Sequence, residues 1–284
     1  MAQLSLTADR PVNRNIAAWF ALVHLFGFAG LVYLVAFPVP WQTGVFAVVW
    51  FYFCHLAISA GMHRLYSHQS YRASRPLQLF LLFFAAGVVQ GSALWWVSVH
   101  RRHHKYADQE EDPHNINRGF WWAHMEWNMR QPLMIDRRGV KDLFKNPLVI
   151  WQQRNYRWLS YTVGVILPAV ICFVGWGDWV GGLLVAAGLR LVVQYHTTWS
   201  INSVAHSIGW KHSTLGGTAR DNWWLAPFTV GEAYHESHHV REQDYRLGRR
   251  WYDFDPGKWF IWSCAQIGLA SDLKRFELPH AATT

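Results

Sequence analysis

The sequence is short of charge, of paired cysteines and of phosphate-binding loops. Charged residues fill only 15% of its 284 positions, against about a quarter in ordinary soluble domains. Cys54, Cys172 and Cys264 stand singly, inside or beside apolar runs, which excludes a disulfide framework and a thiolate metal site. Any metal must therefore live on nitrogen and oxygen. No glycine-rich loop is present to cradle a nucleotide's phosphates. Internal repeats, low-complexity linkers and recognisable nucleic-acid-binding modules are also missing. The net charge of +8 is best explained by attraction to anionic lipid head groups, although an acidic thioester carrier or coenzyme phosphates would use the same charge.

What the chain has instead is apolar and aromatic mass: 51% hydrophobic residues, with 19 tryptophans and 17 phenylalanines. Crossing a bilayer takes about 20 apolar residues of helix. Stretches at 18–37, 43–62, 159–177 and 179–199 are long enough, and the linkers "PVPWQT" and "GWGD" within the two pairs contain no Lys or Arg. By the positive-inside rule both hairpins enter from the cytoplasm and return to it. The expected fold is an all-α integral membrane protein, with four transmembrane helices in two hairpins and a cytoplasmic helical catalytic cap formed by segments 63–158 and 200–284. A further apolar run from Leu77 to Val97 is interrupted by Gln90, Gly91 and Ser92, and is expected to lie against the membrane or inside the cap. A cleavable leader is not expected, since Asp9, Arg10 and Arg14 precede a first run that is too long and lacks a small-residue cleavage site. Multi-pass insertion with both termini and the active site in the cytoplasm, in a bacterial cytoplasmic membrane, is the expected location.

Sixteen histidines are present, and many are boxed. "VHRRHHKY" holds His100, His103 and His104, "YHESHH" repeats the same spacing with His235, His238 and His239, and "HRLYSH" supplies His63 and His68. Separations of three and four residues put rings on one helix face. One such tract alone reads equally well as a solvated basic helix end; three on the cytoplasmic side of the spans point to metal. Asn202 and His206, four apart in "INSVAH", join them. Nine candidate histidines and an amide are too many for one ion and suit two, and imidazole favours iron, zinc, copper or nickel over calcium or magnesium.

The combination "HRLYSH", "HRRHHKYADQEEDPHNINRGFWWAH", "INSVAH" and "GEAYHESHHVREQDYRLGRRWYDFDPGKWFIW" resembles the membrane-bound fatty acyl desaturases, most closely the delta-9, stearoyl-CoA type. The resemblance runs from about Ala60 to Lys274 and implies a single desaturase domain over 1–284. It implies two iron ions held by His63, His68, His100, His103, His104, His206, His235, His238 and His239, with Asn202 acting through a water, and O2 as the oxidant. It also implies a double bond introduced into an acyl chain carried on coenzyme A, a carrier protein or a lipid. Removing hydrogen from an unactivated methylene is beyond any side-chain acid or base, so the cofactor carries the hard step and the protein supplies position. No haem, flavin or ferredoxin segment is recognised, so a separate electron donor of the ferredoxin, rubredoxin or cytochrome b5 type is expected; membrane lipid is the other partner, and nucleic acid is not one.

Alternatives on the same scaffold are an acetylenase or a hydroxylase, possibly acting on a shorter carrier-linked chain. A membrane metal-binding or transport protein is more distant, because transport sites form near the bilayer midplane. Glu232, Glu236, Asp108, Glu110, Glu111 and Asp112 are candidates to hold the second nitrogen of a ligand imidazole, each against the simpler reading of a solvated loop charge. His24, His55, His114, His124, His196, His212 and His280 are expected to be structural, and Arg190 to snorkel or pair toward Asp178. In the third box, "HESHH" is followed by "VREQDYR", where the family usually carries an aromatic and a proline before the acidic residue. Finally, Ser59, Leu56, His55 and Tyr52 step back from His63 at helical spacing. In the delta-9 family this helix lines the acyl tunnel, so the four are candidate tunnel residues, with His55 placed to close the tunnel early.

Overall fold

A computed structural model describes residues 11–130, 134–213 and 215–276; Asp9, Arg10 and His280 lie outside them. Helix α1, Arg14–Ala36, starts where the Asn13 side chain accepts from the amides of Asn15 and Ile16, satisfying two of the donors a helix start leaves free. It ends before Pro38, as a residue preceding proline disfavours helix. Helix α2, Trp41–Ser67, follows at once. Helices α3 (Arg75–Ala86) and α4 (Ala93–Tyr106) are the two halves of the interrupted apolar run, and Ser92 caps the second half by accepting from the Trp95 amide. Helix α5 covers 122–130, α6 is Pro147–Trp176, α7 covers 179–203, α8 is His235–Val240 and α9 is Pro256–Gln266. Two short strands, Arg72–Ala73 and Ala270–Ser271, pair antiparallel with Arg72 opposite Ser271 and tie the start of α3 to the end of α9.

Among the described residues three helices, α1, α2 and α6, are long and apolar enough to cross a membrane. The third expected stretch, 159–177, is only the C-terminal part of α6, which begins at Pro147. The fourth, α7, is helical throughout but carries Arg190, Gln194 and His196 and is not among the three. It nevertheless packs tightly on α1. A β-carbon on Gly27 would lie 2.4 Å from Val192 Cγ2, and one on Gly30 would lie 2.3 Å from the Leu184 carbonyl oxygen. Small residues permit this close approach of the two helix backbones.

Arg190 does not pair with Asp178. Asp178 instead takes hydrogen bonds from Thr43 (2.5 Å), Tyr33 (3.1 Å) and the Gly181 amide (2.8 Å), closing the loop between α6 and α7. Arg190, only 3% exposed, donates to the carbonyls of Gly164 (2.5 Å) and Gly87 (2.9 Å). The reason lies in the sequence of α6. Pro168 has no N–H to give the carbonyl four residues back, which is Gly164. The helix widens over Thr162–Ile166, and the guanidinium fills the vacancy while also capping the end of α3. Arg190→Ala should leave both carbonyls without this donor and cost on the order of 2–4 kcal/mol; a thermal midpoint equal to that of the parent protein in detergent would refute the role.

Candidate metal centre

Three helices and one turn aim the boxed histidines at a common region. On α4 and α8 the spacings of three and four residues bring three rings each to one face, as expected. His63 and His68 need a different device. Five residues apart, they would point about 140° from each other on an α-helix. Over Ala57–Ser67, however, α2 is wound as a π-helix, whose bonds span five residues and whose occurrence is concentrated at functional sites. The two rings consequently face each other, with centroids 4.8 Å apart.

The nine histidines divide into two groups, His63, His68, His100, His104 and His238 in one and His103, His206, His235 and His239 in the other, with ligand atoms in each group within 4.8 Å of one another. Sequence neighbours part company: His103 and His104 belong to different groups, as do His238 and His239, which forces the groups to lie side by side. Inside the first group Nε2 atoms approach to 3.0 Å (His63 and His238), 2.8 Å (His68 and His100) and 2.9 Å (His104 and His238). Inside the second they approach to 3.2 Å (His103 and His239), 3.1 Å (His239 and His235) and 3.0 Å (His235 and His206).

The outer nitrogens show why these rings suit a metal. Asp112, 1% exposed, accepts from His103 Nδ1 at 2.9 Å, and Glu232 Oε2 lies 2.5 Å from His63 Nδ1. His206 Nδ1 is 2.7 Å from the Thr218 hydroxyl, which itself donates to Asp108 at 2.5 Å and so must accept from the imidazole. These contacts put the proton on Nδ1 and leave Nε2 as a lone pair pointing inward. In the chain from His103 through His239 and His235 to His206, both ends are then acceptors, and the three inner contacts cannot all be hydrogen bonds. Protonation is no remedy, because burial holds His68, His100, His104, His235, His238 and His239 well below the usual histidine range, and His206 at about 4. Neutral, inward-facing imidazoles that hydrogen bonding cannot satisfy are a donor set that fits two cations.

Among the expected carboxylates, Glu232 and Asp112 hold ligand rings directly and Asp108 does so through Thr218. Burial alone would raise the Glu232 carboxyl, but His63, Arg64 and Ser59 outweigh it and hold it below the usual range. Glu236 turns away and accepts from the amides of His212 (2.7 Å) and Ser213, while Glu110 and Glu111 offer main-chain carbonyls to Arg118 and Arg102. The expectation of a ligand-holding role for these three is not met. Of the histidines set aside as structural, His24, His196 and His124 form a hydrogen-bonded row ending on Ser203, and His114 packs on His103 with ring centroids 4.2 Å apart. Asn202 belongs to neither group; it lines a cavity with His100, Trp95, Trp96, Trp127 and Trp199.

The sequence reading missed Glu242. Its Oε1 lies 3.2 Å from His104 Nδ1 and its Oε2 4.0 Å from His68 Nδ1. It straddles two rings of the first group, and no in-line hydrogen bond forms at His104 Nδ1. The only signal was its place in "VREQDYR", where the pattern departs from the family. With 46% of its side chain exposed, Glu242 is screened by water in a way that Asp112 is not. Asp112→Asn should therefore weaken metal binding by about a hundredfold and Glu242→Gln by about tenfold, the two ends of the usual range for such partners. Chelator competition on the purified protein measures both, and equal affinities in all three proteins would refute the assignment.

Of the candidate tunnel residues, Tyr52 donates to the Pro227 carbonyl at 3.0 Å and Ser59 to Glu232 at 2.5 Å. Leu56 is half-buried. His55 is 1% exposed, packs edge-on against Phe51, and has no hydrogen-bond partner on either nitrogen.

The profile of the fatty acid desaturase family matches residues 39–265. The chain is 38% identical to a probable acyl-CoA desaturase of Schizosaccharomyces pombe over 262 residues, 91% of this chain and 55% of that protein. It is also 38% identical to acyl-CoA desaturase 1 of Saccharomyces cerevisiae, covering 91% of this chain and 52% of the relative. It therefore spans about half the length of these two yeast proteins. With the delta(9)-fatty-acid desaturase fat-7 of Caenorhabditis elegans it shares 36% identity over 93% of this chain and 79% of the relative. All three relatives are eukaryotic and lend no support to a bacterial membrane. By its histidine boxes, by the match along most of its length and by these likenesses, the chain belongs to the fatty acid desaturase family.

Proposed function

We propose that the protein is an oxygen-dependent acyl desaturase in which two histidine-held irons serve the introduction of a carbon–carbon double bond. The observation that carries this reading is the pair of adjacent imidazole groups, five and four strong, backed by carboxylates and bordered by a cavity whose lining includes four tryptophans and no charged side chain. The irons, when bound, supply the oxidising power that no side chain has. The protein's own groups orient the ligands, keep them neutral and hold the acyl chain. The relatives' names favour a coenzyme A thioester, with electrons from a donor of the ferredoxin, rubredoxin or cytochrome b5 type.

In the proposed arrangement α1, α2, α6 and α7 cross the membrane as two hairpins, with both termini and the histidines on the cytoplasmic side. This agrees with the absence of Lys and Arg from "PVPWQT" and "GWGD". Expression in a host without desaturases, followed by mass spectrometry of its lipids, should reveal a new oxygen-dependent unsaturated chain. His104→Ala and His238→Ala should lose bound iron and that product while the protein remains membrane-inserted. Full activity in either variant would sink the ligand assignment.

Tyr52, His55, Leu56 and Ser59 are proposed as tunnel residues, with His55 as the stop. A buried imidazole without a hydrogen bond is costly and so is worth explaining by function. A packed wall resists each added methylene, since overpacking costs about 1–3 kcal/mol, so His55 should favour chains shorter than the family's usual long substrates. His55→Ala should lengthen the accepted chain by a few carbons; an unchanged chain-length profile in a stable, iron-loaded variant would dispose of the idea.

A further inference from the structure

Along α2, Val45, Val48, Val49 and Tyr52 fall at helical spacing on one stripe. The three valines are exposed, as suits a lipid-facing surface. Tyr52 ends the exposed part, because its hydroxyl donates to the Pro227 carbonyl, and further along the same stripe His55 and Ser59 are buried. The segment after α7 therefore meets α2 at Tyr52, eleven residues or about 16 Å short of His63. On this face the lipid-accessible surface stops there, not at the histidines.

The rim of that segment is aromatic and open. Trp223 is 64% and Phe228 56% exposed, Trp210 and Trp224 are exposed as well, and the rings of Trp210 and Trp223 lie 6.3 Å apart. Its main chain is turned inward. Trp210 and Asp221 exchange bonds of 2.9 and 2.8 Å, Asn222 donates to the Ala233 carbonyl, and Gly231 donates to that of Ala226. These bonds pair part of the segment's backbone internally, which lowers the cost of its approach to lipid. The charged side chains of residues 207–230 are Lys211, Arg220 and Asp221, and the one acid points inward to the amide and hydroxyl of Ser237. Exposed indoles beside Lys211 and Arg220, continuous with the lipid-facing stripe of a span, match the head-group layer of a bilayer.

We propose that Trp210, Trp223, Trp224 and Phe228 form a membrane-inserted rim of the cap, entering the head-group region of the leaflet beside the Tyr52 end of α2. The proposal rests on the reading of α2 as a membrane span. The test places single cysteines by Trp223→Cys, Phe228→Cys, Val48→Cys and Glu110→Cys in the full chain, each spin-labelled in vesicles of phosphatidylcholine and phosphatidylglycerol. The native Cys54, Cys172 and Cys264 are buried. Power-saturation EPR compares collisions with dioxygen, which concentrates in lipid, and with a nickel chelate, which stays in water. The labels at 223 and 228 should show a dioxygen-to-nickel ratio several-fold above that at exposed position 110 and approaching that at 48. Trp224→Cys serves as a further site if one variant fails to fold. Water-like ratios at the rim beside a lipid-like ratio at 48 overturn the proposal; a water-like ratio at 48 overturns it together with the span reading beneath it.

Discussion

Nine imidazoles converging on two points impose a demand that the surrounding structure is built to meet. Each ring must present its inner nitrogen bare and have its outer nitrogen held. Burial keeps His68, His100, His104, His206, His235, His238 and His239 uncharged, so that the inner nitrogens stay bare. The carboxylates of Glu232, Asp112 and Glu242, with Thr218, address the second condition for several rings, and each carboxylate introduces a negative charge that needs an answer of its own. Glu232 is answered by Arg64, whose Nη2 lies 3.5 Å away and also 2.8 Å from Asp255. Asp255 in turn accepts from the amides of Leu247, Gly248 and Lys258. Thus a contact at one ring extends through two ion pairs to the start of α9. Gly257 is part of that arrangement, since a β-carbon there would stand 2.5 Å from Arg64 Nη1.

The membrane part supplies rigidity by a comparable chain of compensations. Proline in α6 frees a carbonyl, the helix widens, and an arginine on α7 fills the gap while capping α3. A buried arginine is expensive unless its donors are occupied, and here it joins α7 to α6 and to the end of α3. The cost of each irregularity is thereby offset by a constraint on the next element.

This explains which features were legible in the chain and which were not. The boxes on α4 and α8 could be read because spacings of three and four have one meaning on an α-helix. The three long apolar helices could be read because bilayer thickness sets a length. The π-helical winding at Ala57–Ser67 could not, since it is a response to packing and leaves no composition signal, and without it the five-residue spacing of His63 and His68 looks wrong for one site. Arg190 was misassigned to Asp178 because charge pairing is visible in a sequence and a carbonyl left bare by Pro168 is not. Glu236 and Glu242 show the same limit from both sides: the carboxylate inside the box turns to cap a loop, while the one beyond it reaches back to the rings. Side-chain direction, not proximity along the chain, decides which acid serves.

The division of His103 from His104 and of His238 from His239 has a further consequence. Adjacent residues on a helix diverge by about 100°, so one helix turn can feed two groups only if both lie against the same side of it. The two groups must then share a boundary, and their outer faces are spoken for. Glu232 and Arg64 occupy one side, Asp112 with His114 another, and Glu242 the solvent edge. A further side is formed by the cavity bordered by His100, Asn202 and the tryptophans of α4, α5 and α7, whose lining contains no Asp, Glu, Lys or Arg. A charged molecule would lose solvation there without finding an opposite charge, whereas an uncharged chain would gain contact with the indole faces. The carboxylates that hold the histidines thus lie outside this cavity, and its uncharged lining disfavours ions there.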